Sequence, residues 1–432
     1  MQSAVALNVQ QSIRPGECID TYYAGKENSM KQCHATVEDN RFFISLPSLS
    51  SGSSSTVTFN PNEGLAEVIV TLQLPAPATG QGLALPEGWG YQMLRRIGYR
   101  YGSSQLYYIS GAQSLMESLA LCEDSGKKQQ LYYLGGQALL SPADWADQGK
   151  RTAYVYLRLP HSSPALSGGA FPFPTDVLTA PVQIELQLQD FNRVISAVTV
   201  AGTPPDAIPT QLSSASVNFT QVTMQDSGDL VARRFDMSRN ALTIPLHDGW
   251  CQEEIQLPFT SGVDGSFQLS LTGCKAGDLR KLRIFFTKPS DTPGGSTALN
   301  LQSKWYAPSQ VTFAINGLIY LDSRNGSWLL STLLRRRQPP VITYSDLSAP
   351  LVVGGGFGAT PFPSAWLEVD LAQPHTLGDS QEVALIHGVP VMNSVMNLTG
   401  TMPEGSQGYV CHVEYVLNCS WMASRGSAEF IF

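Results

Sequence analysis

Two stretches of the chain share one grammar about half a chain length apart. LYYISGAQSLMESLAL, Leu106 to Leu121, opens as an apolar-aromatic strand pattern and closes as a short amphipathic helix; LIYLDSRNGSWLLSTLL, Leu318 to Leu334, does the same. Self-similarity at half the length predicts two copies of one fold in tandem. A chain of 432 residues has room for that, because a single core rarely serves so many.

Period-two alternation says what the repeated fold is made of. VQIELQLQ sets Val182, Ile184, Leu186 and Leu188 on one face and Gln183, Glu185, Gln187 and Gln189 on the other, as a half-buried strand requires. The same pattern marks AEVIVTLQL (66–74), AYVYLRL (153–159), SFQLSL (266–271), KLRIFFT (281–287), VTFAINGLIYL (311–321), AWLEVDL (365–371), YVCHVEYVL (409–417) and AEFIF (428–432). Many short strands separated by Gly-, Pro- and Ser-rich segments predict antiparallel sandwiches or jelly rolls. Helices are few. One follows Ser110, which can cap it, with Leu115 and Leu119 on its inner face; another covers 325–338, closed by basic residues and stopped by Pro339 and Pro340. Long loops span about 160–181 and 338–364, beyond the usual length of a mere connection. VAGTPPDAIPTQLSS, 200–214, has the make-up of a linker, so the expected division is an N-terminal arm 1–24, a first unit 25–199, a linker 200–214 and a second unit 215–432.

Composition narrows the function classes. Charged residues are 14% of the chain against a typical ~25%, which suits flanks covered by neighbours, since few charges need desolvating at an interface. The net charge of −8 argues against phosphate neutralisation as the main task. MQSAVALNVQQSIRPGECID lacks a basic n-region, and no stretch supplies the ~18 apolar residues of a membrane helix, so the expectation is a chain made in the cytosol. Seven cysteines, an odd number without a CxxC, are neither a disulfide framework nor a zinc site.

Three stretches stand in one order along the chain: VIVTLQLPAPA … LPEGWGYQMLRRIGYRYGSSQLYYISGAQSLMESLAL, then AYVYLRLPHSSPALSGGAFPFPTDVLTAPVQIELQL, and at the end VEYVLNCSWMASRGSAEFIF. In that order they resemble the double jelly-roll major capsid proteins of large icosahedral double-stranded DNA viruses of eukaryotes. The resemblance implies an all-β chain of two consecutive eight-stranded antiparallel jelly rolls with short helices and long loops. It implies a homotrimer of pseudo-hexagonal outline that tiles a shell, with its N-terminal arm turned inward. Implied partners are the chain itself, minor capsid and penton proteins and an inner membrane where the virus has one, with no specific nucleic-acid binding. The implied location is the virion, after synthesis in the host cytoplasm. His161, Ser162 and Ser163 stand where the family carries a more aromatic run.

Catalytic constellations are missing from the pattern. There is no P-loop, HExxH or GxSxG, GGGFG (354–358) lacks a strand-turn-helix setting, and the six histidines are scattered, so neither an enzyme nor a cofactor is expected. Four Asn-x-Ser/Thr sequons, at Asn218, Asn325, Asn397 and Asn418, are candidate glycosylation sites in a Ser/Thr-rich chain. Arg335, Arg336 and Arg337 form the sharpest charge cluster, either as the basic end of a helix or as a contact with an acidic subunit or membrane surface. The competing readings are a glycan amidase built on paired jelly rolls, a carbohydrate-binding sandwich, and a scaffold of the same fold for immature virions. The first predicts clustered carboxylates, and the second an exposed Trp or Tyr row, whereas Trp250, Trp305, Trp328 and Trp366 are dispersed.

Overall fold

The structure is a computed structural model. It describes residues 37–46, 49–59, 64–85, 88–102, 107–111, 133–157, 180–197, 199–224, 242–257, 265–274, 277–287, 310–323, 367–371, 386–402, 409–424 and 427–431, with a few isolated positions between them. The first unit contains strands β1 (Val37–Leu46), β2 (Ser54–Phe59), β3 (Gly64–Gln73), β4 (Leu94–Tyr101), β5 (Tyr107–Ile109), β6 (Thr152–Leu157), β7 (Val182–Leu188) and β8 (Ser214–Met224). The second contains β9 (Leu242–Gln256), β10 (Gly265–Leu271), β11 (Asp278–Thr287), β12 (Gln310–Ile315), β13 (Leu318–Ser323), β14 (Leu367–Asp370), β15 (Met396–Met402) and β16 (Val410–Ser424), followed by β17 (Ser427–Ile431).

Their pairing makes the repeat explicit. The first unit has two antiparallel sheets in the order β1-β8-β3-β6 and β2-β7-β4-β5; adding eight to every label gives the second unit, β9-β16-β11-β14 and β10-β15-β12-β13. The chain is therefore a double jelly roll. The strands at Leu106 and Leu318 that open the repeated stretches are β5 and β13, equivalent edge strands of equivalent sheets.

Each unit has its own core, and the alternation in sequence builds both. Val182, Ile184, Leu186 and Leu188 of β7 are fully buried, each stabilising the sandwich by ~1.5–3 kcal/mol over exposure. Across the first unit they meet Val68, Val70 and Val155; in the second, Phe267, Leu269, Leu398 and Phe313 do the same work between its sheets.

Two sequence expectations change. The segment 200–214 is not the boundary between units: Ser214–Met224 pairs with both β1 and β3, so the Pro-rich stretch leads into the last strand of the first unit, and the division falls between β8 and β9. Pro-rich composition marks any irregular connection, inside a domain as well as between domains. The run 311–321 is not one strand but the hairpin β12–β13. Asn316 (φ 51°) and Gly317 (φ 81°) both take the left-handed conformation of a two-residue hairpin turn, which an Asn-Gly pair adopts at least cost. The helix after Ser110 is seen in its first turn, where the Ser114 amide donates to the Ser110 carbonyl; of the loop 160–181 the structure describes Phe173–Pro174, paired with Gly64 and Leu65 of β3, and residues 180–181, while the helix 325–338 and the loop 338–364 lie outside the described residues.

Two short helices were not read from the sequence, α1 (Trp89–Met93) and α2 (Pro142–Ala146). The second carries a full capping box: Ser141 Oγ accepts from the Asp144 amide, and Asp144 Oδ2 accepts from the Ser141 amide at 3.0 Å. Burial pushes the Asp144 carboxyl up, but hydrogen bonds from Lys150, Ser141 and the Leu140 amide outweigh it and hold the group at about 2. Because the folded value lies below the ordinary one, this contribution is complete above about pH 4 and lost as pH falls through about 2. The gap in melting temperature between the parent chain and Asp144→Asn is expected to close between pH 4 and pH 2. A gap independent of pH would refute the assignment.

Candidate functional site

Each of the four main sheets has an outer face turned away from its core. One pair of faces meets within the chain. Strand β9 touches β5, and β17 touches β4, so the first unit's β2-β7-β4-β5 sheet lies against the second unit's β9-β16-β11-β14 sheet. The seam is charged. Arg96 stacks its guanidinium 3.5 Å from the centre of the Tyr108 ring, and Tyr108 Oη reaches Glu185 at 3.5 Å. Facing them, Glu254 Oε1 lies 3.5 Å from His412 Nδ1, and its carboxyl is held below the usual range by that histidine and by the charges of Arg95 and Arg96. Arg95 and Arg96 are both exposed although consecutive strand residues should point to opposite faces; the register shifts between Leu94 and Arg96, and that bulge turns both outward.

Deeper in the same sheet, Arg283 and Glu414 are directly opposite on β11 and β16, 3.5 Å apart, with Glu414 wholly buried. At the sheet's end Glu253 acts as a clamp. Its carboxylate accepts from the Thr272 and Gly273 amides at 3.0 and 2.8 Å and from Tyr415 Oη at 2.6 Å, tying the β10–β11 turn to the opposite sheet. These carboxylates are spent on internal donors, which is a structural use.

The other two faces carry exposed side chains among the described residues. On the first unit, the row Phe43, Asn218, Ile69, Tyr156 runs across β1, β8, β3 and β6, with Tyr154 beside it. Phe43 is 65% exposed and Tyr154 47%. On the second unit the outward face of β10, β15 and β12 is Ser266, Gln268, Ser270, Asn397, Thr399, Thr401, Gln310 and Thr312, with Asp322 of β13 beside Thr312, whose Oγ1 donates to its Oδ1 at 3.4 Å. Of the sequons, Asn218 lies mid-strand on the first of these faces, its Nδ2 donating to Thr71 Oγ1 at 3.0 Å, and Asn397 lies mid-strand on the second. Asn418 is in β16 opposite Asp278, its side chain outside the described residues, as are Asn325 and Arg335, Arg336 and Arg337. Sequence reasoning missed the outer faces, although the outward half of each alternating strand spelled them out. Among the described residues no group of three potential ligands could hold a metal.

Architecture and faces together define a class: a tandem jelly-roll protein with the fold of virus capsid subunits. Three solved structures share it almost from end to end. PBCV-1 VP54, fitted into a reconstruction of the virophage Sputnik, matches with a TM-score of 0.61 and 11% identity over 94% of this chain and 99% of that one. The Faustovirus major capsid protein matches at 0.56 and 8% identity, covering 98% and 97%. A chain of the Sputnik virophage, solved by cryo-EM at 3.5 Å, matches at 0.55 and 11%, covering 91% and 88%. No protein-family model matches the chain, and no curated protein matches its sequence.

Proposed function

We propose that this chain is the major capsid protein of an icosahedral double-stranded DNA virus, and that three copies form a pseudo-hexagonal capsomer. The observation that carries the reading is the duplication itself: two equivalent units per chain let three chains present six similar sides, the outline that tiles a shell. The end-to-end fold match with chains of virus capsids supports it. The role is structural, without catalysis or cofactor. Partners beyond the chain itself are minor capsid and penton proteins and an inner membrane where one exists, met by the arm 1–24 and by the basic cluster Arg335, Arg336 and Arg337. The protein resides in the virion after synthesis in the host cytoplasm and reads no nucleic-acid sequence.

The test is the solution mass of purified protein by light scattering, with negative-stain imaging of the same peak. The expected result is a threefold multiple of the 46.8 kDa chain with a hexagonal outline. A monomer at every concentration would remove the reading.

A further inference from the structure

The turn that joins β12 to β13 carries chemistry as well as shape. Asn316 and Gly317 form it, both exposed and both in the left-handed conformation, with φ 51° and 81°. Strand β12 pairs with β15, so the turn lies beside the segment 391–395 that leads into β15, and Asn316 ties the two together. Its amide donates to the Val395 carbonyl at 2.9 Å, its Oδ1 accepts from the Val395 amide at 2.9 Å, and its Nδ2 donates to Ser394 Oγ at 3.1 Å. An asparagine carboxamide followed by a glycine amide is the sequence most prone to cyclise on itself, because no side chain shields the glycine nitrogen. Around Gly317 a Cβ would meet nothing within 4 Å, so the folded turn adds no shield of its own.

We propose that Asn316 is a modification site at which the chain unties its own hairpin: the Gly317 nitrogen attacks Asn316 Cγ, and the hydrogen bonds to Ser394 and Val395 set how fast. In the attack a bond forms between Gly317 N and Asn316 Cγ, the bond from Cγ to Nδ2 breaks, and ammonia leaves with the proton of the Gly317 amide. One water then opens the resulting five-membered imide. Addition at Cγ gives aspartate; addition at the main-chain carbonyl carbon gives isoaspartate, whose backbone runs through the side-chain carbon. Water is the only co-reactant, and nothing is oxidised or reduced.

The folded turn holds this step back. Both polar atoms of the carboxamide are engaged by the neighbouring segment, so Cγ meets the Gly317 nitrogen only when those bonds open. Either product loses the Nδ2 donor to Ser394 and gains a negative charge next to Leu318, Ile319 and Val395, which are exposed and uncharged. Isoaspartate also adds a backbone atom to a turn built for two residues, which disturbs the pairing of Ile315 with Leu318. The result is a one-way loosening at one end of the second unit, whose progress records the time since folding. It does not depend on the shell reading.

The test follows the tryptic peptide 305–324, whose only asparagine is Asn316, by mass spectrometry while the purified full chain is incubated at mildly alkaline pH. The wild type is expected to convert, with isoaspartate among the products, more slowly when folded than in denaturant. Ser394→Ala removes one hydrogen bond of the tie and is expected to raise the folded rate ~5-fold while leaving the denatured rate unchanged. Ser394→Thr keeps the hydroxyl and is expected to keep the wild-type rate. Equal melting temperatures of the three chains show that the faster rate comes from the turn and not from general unfolding. The proposal is overturned if the peptide stays unconverted in the folded chain while the denatured chain converts completely, or if folded and denatured chains convert at one rate. It is equally overturned if Ser394→Ala leaves the folded rate unchanged, or if Ser394→Thr accelerates it as much as Ser394→Ala.

Discussion

Arg283→Met is expected to destabilise the second unit by ~3–5 kcal/mol, because it leaves the Glu414 carboxylate in the sheet without the guanidinium opposite it. For a unit of about this size that corresponds to a fall in melting temperature of ~10 °C. The double replacement Arg283→Met with Glu414→Leu is expected to recover most of the loss, since removing both charges also removes their desolvation cost. The measurement is a double-mutant cycle read by thermal unfolding. A single replacement costing no more than ~0.5 kcal/mol, the range of an ordinary surface change, would show that the pair is not a buried one.

Trp89→Ala is the second large effect, and it explains the GWGY stretch. Trp89 is wholly buried at the start of α1, its Nε1 donating to the Gln137 carbonyl at 3.1 Å. Gly136 holds φ +123°, a conformation that favours glycine, and a Cβ there would lie 2.5 Å from the indole nitrogen. Gly90 lets α1 approach β6: a Cβ would lie 2.6 Å from that of Ala153 and 2.7 Å from the Gly135 carbonyl oxygen. Tyr91 completes the unit by accepting the Tyr156 amide on its hydroxyl at 3.2 Å. Truncating the indole is expected to cost ~3–5 kcal/mol, and Gly90→Ala, which forces backbone apart, ~1–3 kcal/mol or more. Soluble yield and melting temperature read both. A Gly90→Ala chain as stable as the parent would mean that α1 does not pack on β6 as described.

The sequence displayed many of the strands because alternation is a local property: β6, β7 and β10 follow from which side of a pleat each residue faces. It displayed the duplication because equivalent strands carry equivalent patterns. It did not display the division between units, since which sheet Ser214–Met224 joins is a long-range matter of pairing with residues more than a hundred positions earlier. Two local signals were present but outweighed. The Asn316-Gly317 turn was hidden inside a continuous apolar run, and the Ser141–Asp144 box caps a helix too short to show a periodic face. The outer faces were legible as residues and illegible as a site, because Ser, Thr and Gln on the outside of a strand look alike whether water or a neighbour covers them.

The seam within the chain has a consequence for the order of events. Two units on one polypeptide are joined covalently, so they meet at an effective concentration far above that of separate chains in dilute solution. A contact with little intrinsic affinity, such as Arg96 and Glu254 across a part-exposed seam, is enough to close at that concentration. Contacts between separate chains have no tether and depend on how much protein has accumulated. On the proposed shell reading, pairing inside each molecule precedes the association of finished molecules, and the threshold for assembly follows protein concentration rather than folding.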